Sequence, residues 1–141
     1  MNDNGFTLIE VILVISILSI IMTIAIPMVD MDLGYMDKMA AEFIADVRFV
    51  QMETMKYPEA GYQIDINKNK GEYYIRKKLI LVKKICFTER YKINYNNKSP
   101  FGFTYGGTPI NAGTFTILDT KTNESKKVTI VPTTGRTIIK E

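Results

Sequence analysis

The chain has 141 residues, and its 18 Lys and Arg residues against 15 Asp and Glu residues give a net charge of +3. That length fits one compact domain with a terminal segment, and so small an excess of positive charge does not by itself indicate nucleic-acid binding. The sequence has no His, which excludes His-based acid–base catalysis and His-ligated zinc. Its single cysteine, Cys86, cannot form an intramolecular disulfide or a metal site alone, and we expect it to be a small buried residue. No cofactor or metal site is predicted.

The first predicted element is an apolar helix near the N-terminus. Residues 6–26 number 21 and contain one charged side chain, Glu10. As a helix they span roughly 30 Å, about the thickness of the hydrocarbon core of a bilayer. Ser16, Ser19 and Thr23 are tolerated there because their hydroxyl groups can bond to carbonyls one turn earlier.

Three interpretations of this helix compete: a secretory signal peptide, a plain membrane anchor and a cleavable leader of another class. A signal peptide begins with basic residues, whereas residues 1–5 contain no Lys or Arg. A plain anchor is disfavoured because an isolated carboxylate in a membrane costs about 3 kcal/mol or more and is by default functional. Glu10 therefore favours the third interpretation.

The stretch Gly5-Phe6-Thr7-Leu8-Ile9-Glu10, followed by an apolar run of this length, resembles the class III prepilin leader of type IV pilins and pseudopilins. The resemblance implies cleavage between Gly5 and Phe6 by a prepilin peptidase, and N-methylation of the new Phe6 amine. It also implies other pilin or pseudopilin subunits and an inner-membrane assembly platform as partners. Many leaders of the family carry a basic residue before the glycine, and this one does not.

Glu10 has a physical reason to lie four residues beyond the predicted cleavage site. Cleavage creates a positive amine at Phe6, and each of the two charges is costly alone in lipid. In a helical assembly the carboxylate of one subunit can neutralise the amine of its neighbour. We therefore expect Glu10 to favour assembly and to set the axial register of the subunits.

A bend and a second helical stretch follow. Pro27 and Gly34 weaken helices, so residues 27–35 are expected to bend or loosen. Apolar side chains then recur every three or four residues up to Pro58, which predicts one buried helix face. Together with the first segment this predicts one long N-terminal helix. The predicted buried face comprises Met36, Met39, Ala40, Phe43, Val47 and Val50.

Two further sets of side chains lie on this stretch. The methionines are expected to fill the core rather than to form a binding surface, and the charged side chains are expected on the surface. The methionines are Met36, Met39, Met52 and Met55, and the charged residues are Asp37, Lys38, Glu42, Asp46 and Glu53.

From residue 61 onward the apolar residues alternate with period two, which predicts strands. Residues 62–66 and the long run 73–87 flank a turn signal at 69–71. Residues 96–114, rich in Asn and Gly, predict a loop or short irregular strands. Further strands are predicted at 91–95, 115–117, 128–130 and 137–140, with turns at 120–125 and 134–136.

A helix followed by antiparallel strands is the α+β class, with a sheet packed on the apolar helix face, and this is also the order found in pilins. The predicted organisation is a leader at 1–5, a transmembrane and filament-core helix at 6–27, an amphipathic helical half at 28–60 and an antiparallel β head at 61–141. The resemblance implies a single-pass membrane protein with its head outside the cytoplasm, and afterwards a pilus or pseudopilus at the cell surface.

The C-terminal half is similar to that of minor pseudopilins. The likeness rests on the glycines of the loop, on Lys126-Lys127-Val128-Thr129-Ile130 and on Thr134-Gly135-Arg136. The groups it resembles are the H-type pseudopilins, the FimT-like minor pilins and the D-type pseudopilins of competence machines. An ordinary pilin remains an open alternative.

The charges of the head are unevenly distributed. Residues 68–98 contain ten basic and two acidic residues, a net charge of +8, with tyrosines interleaved. Basic groups follow phosphates and exposed aromatic rings stack on bases, so this stretch is a candidate DNA contact. The alternative is that lysines protect strand edges and that the tyrosines face the core. Candidate DNA contacts are Arg76, Lys78, Lys83, Arg90, Lys92 and, in the last turn, Arg136.

Three functions follow from these patterns. The leading hypothesis is a non-enzymatic structural subunit, a minor pilin or pseudopilin of a secretion, pilus-biogenesis or DNA-uptake system. The alternative is a competence pseudopilin that binds DNA directly through its basic head. An anchored enzyme is disfavoured because no nucleophile is paired with a base in the sequence.

Overall fold

The structure is a computed structural model that describes residues 7–25 and 34–140. The chain divides into two units, Met1–Leu33 and Gly34–Glu141. The predicted cleavage site and most of the predicted bend lie outside the described residues. The second unit is called the head below.

In the first unit, α1 spans Leu8–Ala25. None of its residues is buried. The hydroxyl groups of Ser16, Ser19 and Thr23 each donate a 2.8 Å hydrogen bond to the carbonyl four residues earlier, as predicted, so the polar atoms of the helix are satisfied within it.

The head begins with α2, Tyr35–Lys56, which follows Gly34 in the left-handed region at φ 81°. A short 3-10 helix, Pro58–Ala60, comes next, so α2 ends before Pro58 as predicted. The apolar side chains of α2 at spacings of three and four form its buried face, and Met39, Phe43, Val47 and Val50 are all in the core.

Within the described residues 34–140, nine strands follow α2 and form two antiparallel sheets. The first sheet has the order β3-β2-β1-β5-β6 and the second has the order β4-β7-β8-β9. This is the predicted α+β class. The strands are β1 Tyr62–Asn67, β2 Glu72–Lys77, β3 Ile80–Cys86, β4 Tyr91–Tyr95, β5 Phe101–Phe103, β6 Pro109–Ile110, β7 Thr114–Asp119, β8 Ser125–Ile130 and β9 Thr137–Lys140.

The core of the head is centred on aromatic rings between α2 and the sheets. Phe43 of α2 stacks on Phe115 of β7 with ring centroids 4.0 Å apart and meets Tyr73 of β2 edge-on at 5.3 Å. One α2 side chain therefore contacts both sheets. The core residues all belong to the head, so this unit has its own hydrophobic core.

The run at residues 73–87 contains a turn that the sequence pattern did not identify. It folds as β2 and β3, which pair with Lys77 opposite Ile80. The turn between them has no Gly or Pro; Lys78 adopts φ 53° instead. Because the turn is made by a lysine and a leucine, the sequence carried no turn signal there.

Four side-chain placements also differ from prediction. Cys86 is exposed, because it lies between the inward-facing Ile85 and Phe87 of an alternating strand. Met52 and Met55 are exposed at 68% and 51%, so half of the methionine set is not core. Asp46 is buried, for a reason given below.

Candidate functional site

Glu10 lies in the first turn of α1 and caps that helix. Its backbone N–H lies 3.4 Å from the Thr7 hydroxyl oxygen, and the Thr7 backbone N–H lies 3.4 Å from a Glu10 carboxylate oxygen. This reciprocal arrangement is a capping box, which satisfies two donors at the helix start. The Thr7-x-x-Glu10 spacing is therefore part of the helix signal as well as of the leader motif.

The surface of α1 is apolar apart from Glu10, Ser16, Ser19 and Thr23. The helix has 18 residues and a mean hydropathy of 2.7, and none of it is buried in the structure. By length and composition it can cross a membrane. Glu10 is thus a carboxylate at the start of an apolar helix that has no covering partner among the described residues.

Residues 1–26 match the family model of the prokaryotic N-terminal methylation motif.

The methylation motif supports a class III leader and with it a type IV pilin-like or pseudopilin subunit. It also implies processing by a prepilin peptidase and assembly with other pilins, and it is consistent with membrane anchoring through α1. Among curated proteins and among solved structures, no match was found. The match concerns the leader and α1, so the head must be interpreted from its own geometry.

Three of the predicted DNA contacts in the head are ion-paired with carboxylates. Arg90 binds Asp119 through two nitrogens, with Nη2 2.6 Å and Nε 3.0 Å from the carboxylate. Arg76 lies 3.6 Å from Asp65. Lys83 lies 2.9 Å from both Glu42 and Asp46 of α2. The hydrogen bond from Arg90 is the main cause that holds the pKa of Asp119 well below its usual range.

Asp46 can be buried because it accepts hydrogen bonds from two donor groups at the junction of α2 and the first sheet. The Tyr73 hydroxyl donates to it at 2.8 Å, and the Lys83 ammonium donates at 2.9 Å. Burial raises the pKa of Tyr73 well above its usual range, and the neighbouring Asp46 charge raises it further. Lys83 therefore links β3 to α2.

Glu72 is the centre of a second buried-carboxylate cluster, on the opposite face of the first sheet. The Lys84 ammonium lies 2.7 Å from the Glu72 carboxylate. The Tyr74 hydroxyl and the Cys86 thiol also donate hydrogen bonds to this carboxylate. The hydrogen bond from Lys84 is the largest cause that lowers the Glu72 pKa. The adjacent lysines Lys83 and Lys84 thus form ion pairs with carboxylates on opposite faces of β3. This is expected because successive side chains of a strand point to opposite faces.

The remaining predicted contacts lie apart from one another. Lys78 forms the β2–β3 turn, where its backbone N–H donates to the Gly61 carbonyl at 3.0 Å. Lys92 is exposed on β4, and Arg136 is exposed before β9. The six predicted DNA contacts therefore do not form one patch in the structure. Of the four interleaved tyrosines, Tyr73, Tyr91 and Tyr95 are buried and Tyr74 is partly buried.

Sequence reasoning missed a cleft between the β1–β2 turn and β4. Lys68, Lys70 and Lys92 all line it, together with Glu89. Lys68 and Lys70 were counted in the basic stretch but not singled out, because their nearness to Lys92 depends on how the two sheets pack. Within the described residues, no cluster of His, Cys, Asp and Glu could hold a metal ion.

Proposed function

We propose that this chain is a minor pilin or pseudopilin subunit that is cut between Gly5 and Phe6, N-methylated at Phe6 and assembled into a filament. The observation that carries the proposal is the methylation motif at residues 1–26, placed on a fully exposed apolar helix. The separate core of the head supports it, because such a head can be displayed while α1 is embedded. The assembly platform and the extracytoplasmic position of the head belong to the same proposal.

In this proposal Glu10 has two roles that can be separated. It caps α1 through Thr7, and its charge pairs with the Phe6 amine of a neighbouring subunit. Glutamine also completes a capping box but carries no charge. Glu10→Gln therefore keeps the cap and removes the ion pair, whereas Thr7→Val removes the capping hydroxyl and keeps the charge.

The experiment compares these variants in a host with an assembly machine. The chain is assayed in filaments sheared from the cells and in membranes after alkaline extraction, which retains only integral membrane proteins. We expect Glu10→Ala and Glu10→Gln to be absent from filaments and present in membranes, while Thr7→Val and the control Ser16→Ala assemble. Wild-type filament levels for Glu10→Gln would show that the charge has no part in assembly.

A second candidate function is direct DNA binding by the head, as in a competence pseudopilin. The observation that favours it is the cleft lined by Lys68, Lys70 and Lys92. Three exposed ammonium groups around one cleft can follow a phosphate backbone. Arg76, Lys83 and Arg90 are weaker candidates, since each ion pair must be broken before its cation meets a phosphate.

A further inference from the structure

Four consecutive exposed apolar residues form the tip of the β2–β3 hairpin. Residues 79–82, here called the apolar tip, are Leu79, Ile80, Leu81 and Val82, which are 96%, 68%, 54% and 45% exposed. The surrounding sequence is KKLILVKK. A contiguous exposed apolar patch of this kind commonly marks a site of interaction with a partner or a membrane.

The apolar tip presents side chains to both faces of the hairpin. Ile80 pairs with Lys77, and Lys77 lies over Tyr62, whose ring contacts Phe49 of α2. Leu81 pairs with Arg76, which is bonded to Asp65 on the opposite face. Directly opposite residues share a face, so Ile80 and Leu81 point to opposite sides. A flat protein surface would cover one of them and leave the other in water.

Pairing with a second copy along β3 is also disfavoured. An antiparallel pairing of two copies of the edge strand β3 about its midpoint would place Lys83 opposite Lys83 of the other copy. Like charges directly opposite each other destabilise a sheet, and edge lysines oppose such pairing in general. A partner that covers the apolar tip must therefore contact both faces of the hairpin. It must also accept the lysines that flank the tip.

We propose that the apolar tip inserts into an anionic lipid surface, with Lys77 and Lys78 at the level of the headgroups. A bilayer interface is fluid, so it can cover both faces of the hairpin, and anionic headgroups attract lysines close to the surface. Lys77 and Lys78 are exposed, whereas Lys83 and Lys84 are bonded to carboxylates of the head. The inference rests on membrane anchoring by α1 but not on filament assembly.

The chain has no Trp, so a single introduced Trp reports its own depth in the bilayer. The full chain is reconstituted in phosphatidylcholine vesicles with and without phosphatidylglycerol, containing lipids brominated along the acyl chain. We expect Leu79→Trp to be strongly quenched in the phosphatidylglycerol vesicles. Thr122→Trp, in the exposed β7–β8 turn, is the control and is expected to stay unquenched.

The charge requirement is tested in the Leu79→Trp background. Lys77→Gln with Lys78→Gln should lower the ratio of inserted to free hairpin by roughly fivefold per lysine. The matched pair Lys68→Gln with Lys70→Gln, at the β1–β2 turn, should leave this ratio unchanged.

Alkaline extraction of the same vesicles measures separately whether the chain is anchored through α1. Absence of quenching at residue 79 in chain that is anchored through α1 overturns the proposal. Equal quenching in neutral vesicles overturns the choice of an anionic surface.

Discussion

Arg90 and Asp119 form a two-nitrogen ion pair that joins the segment before β4 to the end of β7, with the closest contact at 2.6 Å. The Asp119 side chain is 4% exposed and that of Arg90 is 19% exposed. Asp119 also accepts the Lys121 backbone N–H at 2.8 Å. A carboxylate this well bonded is a structural element of the second sheet, and Arg90 is its counter-ion.

The first prediction concerns the pH dependence of this pair. The folded-state pKa of Asp119 is lowered, chiefly by Arg90, so its contribution to stability is present above the ordinary carboxyl pKa of about 3.9 and is lost as the pH falls toward the lower folded value. Arg90→Gln should therefore lower the urea midpoint of the head clearly at neutral pH and much less under strongly acidic conditions. Arg48→Gln, on the exposed side of α2, is the matched control and should change little. A deficit in Arg90→Gln that is independent of pH would contradict the prediction.

The second prediction concerns the Tyr73 hydroxyl. Tyr73→Phe removes one of the two donors to buried Asp46. A hydrogen bond to a charged group contributes about 1.5–3 kcal/mol, so the free energy of unfolding of the head should fall by about 2 kcal/mol. Urea denaturation measures it. Tyr105→Phe, at an 80% exposed tyrosine, should have no effect, and equal losses in the two variants would refute the role given to Asp46.

The third prediction separates backbone strain from crowding at two glycines. Gly71 and Gly135 both have positive φ, but an added Cβ meets nothing within 4 Å at Gly71 and lies 2.6 Å from Gln51 and 3.0 Å from the Gly107 carbonyl oxygen at Gly135. Gly71→Ala should cost about 1 kcal/mol from φ alone. Gly135→Ala should cost about 1–3 kcal/mol more through overpacking. Similar urea midpoints for the two variants would contradict the prediction. They would show that Gln51 and the last turn can move apart without loss of stability.

The fourth prediction tests the DNA candidate. In gel shifts of the head, Lys68→Gln with Lys92→Gln should weaken binding and reduce the salt slope by about one per lysine lost. Lys38→Gln with Lys56→Gln, on α2, removes the same charge elsewhere and should leave the slope unchanged. Head protein that shows no salt-sensitive shift near physiological ionic strength would remove the candidate.

Much of the fold follows from local pattern. The period-two segments at 62–66 and 91–95 are where alternation predicts them, and the buried face of α2 is the predicted one. These succeeded because one face of each element is covered by the core and the other by solvent. The hairpin inside 73–87 was missed because its turn residues are a lysine and a leucine, which carry no turn preference.

The head's charged sites could not be predicted from sequence. Arg90 and Asp119 are 29 residues apart, and Lys83 and Asp46 are 37 apart. Whether a basic residue meets a carboxylate at such separations depends on sheet order and register, and neither is encoded in local composition. The leader is different, because its residues lie within six consecutive positions, 5–10, and so can be recognised as a short sequence motif.

Cleavage of the leader and methylation of the new terminus would make this chain a processed pilin-like subunit. Intact mass spectrometry of the chain from a host with a prepilin peptidase, and from the same host without it, tests this most directly. We predict that the chain lacks residues 1–5 and carries one added methyl group on Phe6 in the first host, and is full-length and unmethylated in the second. A chain that keeps residues 1–5 beside an active peptidase, with Phe6 unmethylated, would contradict the account.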